Sequence, residues 1–365
     1  MQLRKTHDFL FHDGPQGRLP DLPHHAFESA LARIRGRNPP FPPWWRRYVG
    51  SWQRFADGDD AAAGAGGADE RGRRPLVYGL CQAWNEDDVI YATVRNLFLQ
   101  GADEVFVIDD ASDDDTPAEA RAAGATVVGD ASDGTFDEVR RTRRIAEVIE
   151  ERSAAADRDI WWIMVDADEF PRGPGARTIR ELALALPPSV DTVGSRVLEH
   201  YPSGRSNPRR RHHPLDELPL AHWHVNPACP GGHWKHQMMR VREPGELRFM
   251  MGRHTIAAPA ARKPVVESRE SLLMHHFPLR GRWRTEERFR TANSPTGRYG
   301  GSGNVFRIRR VETRLRTLAL CYAEEYESLP VMYPGERRFG VEVRDWRRLV
   351  GARERDVRHR PGHAL

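Results

Sequence analysis

Carboxylates gather at three places in the first half of the chain, each after a run of apolar residues. Ile160-Trp161-Trp162-Ile163-Met164-Val165 breaks into Asp166-Ala167-Asp168-Glu169; Glu104 to Ile108 runs into Asp109-Asp110-Ala111-Ser112-Asp113; Leu76 to Cys81 leads to Asn85-Glu86. Alternating acids at the end of a buried strand repel one another unless something holds their charges. A hard divalent ion, Mn2+ or Mg2+, does so through carboxylate and phosphate oxygens, and it would neutralise a diphosphate leaving group as the bond to it breaks. For any one such triplet, a polar loop of solvated acids is the alternative.

The elements that must present these acids are legible from periodicity. The apolar run from Leu76 to Cys81 reads as a strand. Val89, Ile90, Val94, Leu97 and Phe98 recur at helical spacing over Asp87 to Gln100, with Glu86 or Asp87 near the N-cap and Gly101 closing the helix. Glu104 to Asp110 reads as a second strand, Thr116 to Ala123 as an alanine-rich helix ended by Gly124, and Ala125 to Val128 as a third strand. A long helix over Phe136 to Arg152 then leads to the strand Ile160 to Val165. Strand and helix alternating through short connections predict a parallel sheet covered on both faces, with ligands bound at the strands' carboxyl ends. Arg140, Arg141, Arg143 and Arg144 on the long helix could assist a diphosphate, although a solvated face is the simpler reading.

At these three strand ends the chain resembles a family 2 type glycosyltransferase with the GT-A fold, well over Leu76 to Leu186 and loosely beyond. That family's N-E stretch is matched by Trp84-Asn85-Glu86. Its D-D/N-x-S-x-D-x-T motif is matched by Asp109-Asp110-Ala111-Ser112-Asp113-Asp114-Asp115-Thr116, with one extra residue before Thr116. The resemblance implies an α/β fold: a Rossmann-like, mostly parallel nucleotide-binding sheet with an appended acceptor-binding half. It implies transfer of a sugar from a nucleotide diphosphate sugar, UDP-sugar favoured and GDP-sugar possible, with inversion inferred from the family alone. Donor contacts carried over are Asp110 to the base or ribose, with the loop of Ala83, Asn85 and Glu86. Asp166-Ala167-Asp168 would meet the diphosphate, with Asp166 and Asp168 as metal ligands.

The second half would supply the acceptor site and a general base. A clean E-D pair is lacking there. Glu199, in Val197-Leu198-Glu199-His200-Tyr201, is the first candidate because it follows an apolar run; Asp216 and then Glu217 follow. Glu199 reads equally well as a surface acid. In related transferases an H-F/Y-P-x-R phrase follows the acceptor region and a histidine there can complete the metal shell; His276, in His275-His276-Phe277-Pro278-Leu279-Arg280, is the candidate, with His254 behind it. His222, His224, Cys229, His233 and His236 offer tetrahedral ligands, but the paired C-x2-C knuckle of zinc sites is absent, which favours a substrate-facing loop flanked by Trp223 and Trp234.

Bulk properties bound the remaining classes. Of 365 residues, 56 are basic and 52 acidic, a net charge of +4 that does not demand nucleic acid. No GxGxxG or Walker motif supports a dinucleotide or P-loop enzyme. The three cysteines, Cys81, Cys229 and Cys321, are an odd and scattered set that fits a reducing, cytoplasmic compartment. Neither a signal-length apolar core near the start nor a run of ~18 apolar residues is present, so membrane contact is expected to be peripheral at most. The chain divides into a Pro- and aromatic-rich extension (1–56, with Trp44 and Trp45), a disordered linker (57–74), a nucleotide-sugar half (75–186), an acceptor half (187–332) and an arginine-rich end (333–365). The expected acceptor is a small molecule or a cell-envelope component. Rival readings are a nucleotidyltransferase, which should carry a Gly/Arg/Lys-rich loop after the first strand where Cys81 to Asp88 is acidic, and a non-catalytic carbohydrate- or nucleic-acid-binding protein.

Overall fold

The structure is a computed structural model and describes residues 3–5, 52–55, 73–129, 137–202, 208–222, 234–249, 256–258, 265–281, 284, 328–332, 338–342 and 344–345. Its centre is one α/β sheet. Strand β1 (Leu76–Ala83) lies between β2 (Glu104–Asp109) and β4 (Ile160–Asp166), and β3 (Thr126–Gly129) flanks β2; all four are parallel. Strands β1, β2 and β4 are buried on both faces, which is why they read as unbroken apolar runs rather than alternating ones; β3, at the edge, is half-exposed.

Successive side chains of these strands feed two separate cores. On one face Val77, Val105, Val107, Trp161 and Ile163 pack under helices α1 (Ile90–Leu99) and α2 (Thr116–Ala122). On the other, Tyr78, Leu80, Phe106, Ile108, Trp162 and Met164 meet Ile145, Val148 and Ile149 of α3 (Glu138–Ala155). Tyr78 lies edge-on to Phe106 and Trp162, with ring centroids 5.6 and 5.3 Å apart. The Trp162 indole donates to Ser153 Oγ at 3.0 Å, so burying this ring, on the order of 4–6 kcal/mol of apolar burial, leaves no unmet polar group. Asp137 caps α3 by accepting from the backbone N–H of Val139 and Arg140.

Two boundaries differ from the periodicity reading. Helix α1 starts at Ile90, not Asp87, and its N-cap Val89 has no side-chain cap. The carboxylates at 86–88 are taken by arginines from the distant Arg210, Arg280 and Arg284, so they do not turn back onto the helix. After β4 the chain turns into β5 (Glu169–Arg172) and helix α4 (Ile179–Ala185), whose Thr178–Glu181 capping box fixes its start.

Past residue 187 the connectivity changes but the sheet continues. Strand β6 (Thr192–Tyr201) leads through β7 (Leu220–His222) to β8 (Trp234–Val241), which inserts antiparallel between β4 and β6. The register of β8 shifts between His236 and Met238, a bulge of the kind that re-aims neighbouring side chains. Beyond the small hairpin β9 (Arg248–Phe249) and β10 (Ile256–Ala257), β11 (Val265–Glu267) and β12 (Leu272–His276) both run parallel to β6, and β12 also pairs antiparallel with β5. Outside these, Leu3–Lys5 pairs with Trp52–Phe55, which runs beside β11; Arg344–Asp345 pairs with β7; and Ser328–Met332 forms a separate hairpin with Arg338–Glu342. Most of the aromatic extension, the 57–74 segment apart from residues 73–74, Trp223 to His233 and His254 lie outside the described residues. Among the described residues no helix is long and apolar enough to cross a membrane.

Candidate active site

The carboxyl ends of β1, β2 and β4 converge, and their loops are stitched together. Asn85 and Ala111 both take left-handed backbone angles, φ 51° and 57°, uncommon for residues with a Cβ and concentrated at functional turns. Asn85 donates its N–H to Ser112 Oγ at 2.9 Å and accepts from Asp113 N–H at 3.0 Å. Glu86 N–H donates to Thr116 Oγ1 at 2.7 Å, and Thr116 N–H to Asp114 at 2.8 Å. The serine, threonine and acids of the D-D-x-S motif therefore hold one loop against the other. Asn85 spends its side chain on this stitch, and the Ala83 carbonyl accepts the Asp110 N–H at 2.9 Å.

Asp110 is fully buried. Its carboxylate faces Arg140 Nη2 at 3.3 Å and Arg141 Nε at 3.5 Å. The solvated-face reading thus fails for these two arginines: they sit on the turn of α3 that overhangs β2, whereas Arg143 is exposed and Arg144 pairs with Glu147.

The D-x-D turn between β4 and β5 is held by its backbone. Thr93 of α1 donates to the carbonyl of the buried Ala167, Phe277 N–H donates to the Asp168 carbonyl at 2.9 Å, and Glu169 accepts the Asp166 N–H at 3.0 Å. With these fixed, the side chains diverge. Asp166 remains 28% exposed, with Lys235 Nζ 3.3 Å from it; Glu169 turns inward into an ion pair with the same lysine. Asp168 faces His276 Nε2 at 3.6 Å and Arg280 Nη1 at 3.7 Å.

Parallel register sets His276 of β12 beside Glu199 of β6, and His276 Nδ1 lies 2.9 Å from Glu199 Oε1. Asp168, Glu199 and His276, 108 residues apart at the extremes, form one line. Burial opposes the imidazolium, but Glu199 and Asp168 outweigh it and hold the His276 pKa well above its usual value. Behind them, Arg280 is buried among Glu86, Asp88 and Asp168, whose charges more than offset its desolvation. The Cys81 thiol below is pushed well up, first by burial and then by the field of Asp166, Glu86, Asp168 and Glu169.

Arg280 also borders a cavity of about 500 Å³, walled by Asp87, Arg209, Arg210, His212 and Arg284. Asp216 is exposed on the one-turn helix Pro214–Glu217 beside this cavity and is not brought into the Asp168 line; its neighbour Glu217 pairs with Arg209. His236, from the candidate zinc group, lies 3.3 Å from Glu267 in the sheet interior. Lys235 and Arg280 were given no role by sequence reasoning. The His-Phe-Pro-x-Arg phrase contains Arg280 and could have flagged it; nothing in the local pattern flags Lys235.

Among the described residues no three His, Cys, Asp or Glu side chains are grouped tightly enough to hold an ion by themselves. The donor set nevertheless fits a hard ion shared with a phosphate: one partly open carboxylate, Asp166, and a second, Asp168, facing an imidazole nitrogen whose other nitrogen is anchored on Glu199.

No protein-family model matches the chain, and no curated protein matches it. Among solved structures it is similar to glucosyl-3-phosphoglycerate synthase from Mycobacterium tuberculosis in complex with Mn2+, UDP and glucosyl-3-phosphoglycerate, at 17% identity over 40% of this chain and 51% of that one, TM-score 0.22. It is also similar to mannosyl-3-phosphoglycerate synthase from Rubrobacter xylanophilus, at 17% identity over 43% and 48% of the two chains, TM-score 0.25. The chain spans about half the length of these structures, and at such TM-scores the likeness carries no argument about its chemistry.

Proposed function

We propose that this chain is a metal-dependent glycosyltransferase of the GT-A kind, moving a sugar from a nucleotide diphosphate sugar, UDP-sugar favoured, to a small hydroxylated acceptor with inversion. The observation that carries the reading is the line Asp168–His276–Glu199 at the carboxyl end of the sheet, with the partly open Asp166 next to it in sequence and Arg280 linking Asp168 to a cavity. Asp166, Asp168 and His276 would hold Mn2+ or Mg2+, which, when bound, supplies positive charge to the departing diphosphate.

The chain's own groups account for the rest. Asp110, paired with Arg140 and Arg141, and the Ala83–Glu86 turn receive the nucleoside. Glu199 anchors one oxygen on His276 and takes the acceptor hydroxyl's proton on the other as that hydroxyl attacks the anomeric carbon and the diphosphate leaves. The acceptor enters from the cavity bordered by Arg280, near Asp216.

Calorimetric titration of UDP, GDP and TDP with and without Mn2+, on wild type and Asp168→Asn, tests this. Metal-dependent binding of one nucleotide that the variant loses is expected. Binding of none, with carbohydrate binding intact in Asp168→Asn, would sink the reading in favour of a non-catalytic carbohydrate-binding protein.

A further inference from the structure

One buried cation at the D-x-D turn has no part in that scheme. Lys235 lies on β8 just before the bulge and is 5% exposed. Its ammonium pairs with Glu169, the carboxylate that holds the Asp166 backbone, and also approaches Asp166 Oδ2 at 3.3 Å. A buried ammonium needs a carboxylate, and Glu169, 2% exposed, satisfies that need by itself. The second contact is different: Asp166 is open enough to be solvated by water, yet it shares the lysine's charge.

We propose that Lys235 is a resident cation of the D-x-D turn that sets the order of binding, so that the divalent ion is accepted only together with the nucleotide's diphosphate. This rests on the metal-dependent transferase reading above. With an ammonium 3.3 Å from Asp166, the turn attracts a second cation weakly. A diphosphate brings negative charge of its own and restores the attraction. Lys235 is here a positioning residue: it acts through Asp166 and Glu169 and touches no reacting atom. Neutralising the lysine should therefore strengthen metal binding, the opposite of what removing a structural support does.

Mn2+ binding followed by electron paramagnetic resonance, with and without UDP, reads this directly without turnover. Wild type is expected to bind Mn2+ far more tightly with UDP than without it. Lys235→Met is expected to gain on the order of tenfold in UDP-free Mn2+ affinity, the scale of one charge a few ångströms away in a partly solvated site. Lys235→Arg, which keeps the charge, should stay with wild type. Because Lys235→Met strands the buried Glu169 and could fail to fold, Lys235→Met is also made in a Glu169→Gln background, where the gain in UDP-free affinity is read against Glu169→Gln alone. UDP-free affinity in Lys235→Met no greater than in wild type, and in the paired change no greater than in Glu169→Gln alone, would overturn the inference alone. So would unchanged Mn2+ affinity with weakened metal-free UDP binding, which would assign the ammonium to the phosphate. No Mn2+ binding to any form even with UDP would overturn the inference and the metal-dependent reading together.

Discussion

Glu199 touches His276 through one oxygen only, and that asymmetry separates its possible roles. Glu199→Gln can still accept the Nδ1–H but cannot take a proton. If Glu199 is the base, kcat falls by about 10²–10⁴ while Mn2+-dependent UDP affinity is nearly unchanged. If it only orients the imidazole, metal affinity and activity fall together; a steady-state assay beside the binding measurement distinguishes them. His200, one residue on, titrates differently. It is fully buried, with Nδ1 on the Leu218 carbonyl at 2.7 Å and Nε2 on His275 at 2.8 Å. Burial pushes its pKa down to about 3 from 6.5, against the raising effect of the Leu218 bond and with the lowering field of His276. Between those values the unfolded chain binds a proton that the native state lacks, so this histidine makes stability fall as pH drops through the window. His200→Gln, which can still reach Leu218, should lose less urea resistance than wild type between about pH 7 and about pH 4.5.

Among the elements, the two loops at the ends of β1 and β2 each hold a non-glycine residue in the left-handed region. Ala111 sits at φ 57° on an exposed turn, a conformation that costs a residue with a Cβ about 1–2 kcal/mol. Glycine removes that cost and loses about 0.5–1 kcal/mol in chain entropy. Ala111→Gly is therefore expected to raise stability by roughly 0.5–1 kcal/mol in a denaturant melt. Because Asn85, Ser112 and Thr116 hold this turn from both sides, the substitution should also leave nucleotide affinity intact.

Across the whole molecule, Arg280 joins parts of the chain that no short connection links. It reaches from the segment after β12 to Glu86 and Asp88 at the end of β1 and to Asp168 beyond β4. Removing its guanidinium takes a buried positive charge away from Glu86, Asp88 and Asp168 at once. Arg280→Ala should thus destabilise the fold by about 3–5 kcal/mol. Arg280→Lys, with one compact charge in place of a planar fork, should recover only part of that loss in a thermal melt.

The sequence by itself determined the centre of the parallel half of the sheet, because strands buried on both faces must be apolar along their whole length, and β1, β2 and β4 each run out into acids. It also singled out Asp110, Asp166, Asp168, Glu199 and His276 from strand ends and motif resemblance. Their relations were not legible. That Glu199 and His276 are neighbours follows from the parallel pairing of β6 with β12, a contact across 77 residues that no local period encodes. Arg140 and Arg141 looked like a solvated face because charge on a helix says nothing of what overhangs it; packing of α3 against β2 turned them onto Asp110. Lys235 was invisible for a further reason. The bulge between His236 and Met238 breaks the alternation of β8, and it is pairing with β6 that carries the strand back to Trp234, with the lysine buried against Glu169. Only tertiary structure decides such a charge, because its energy depends on partners brought together from different strands.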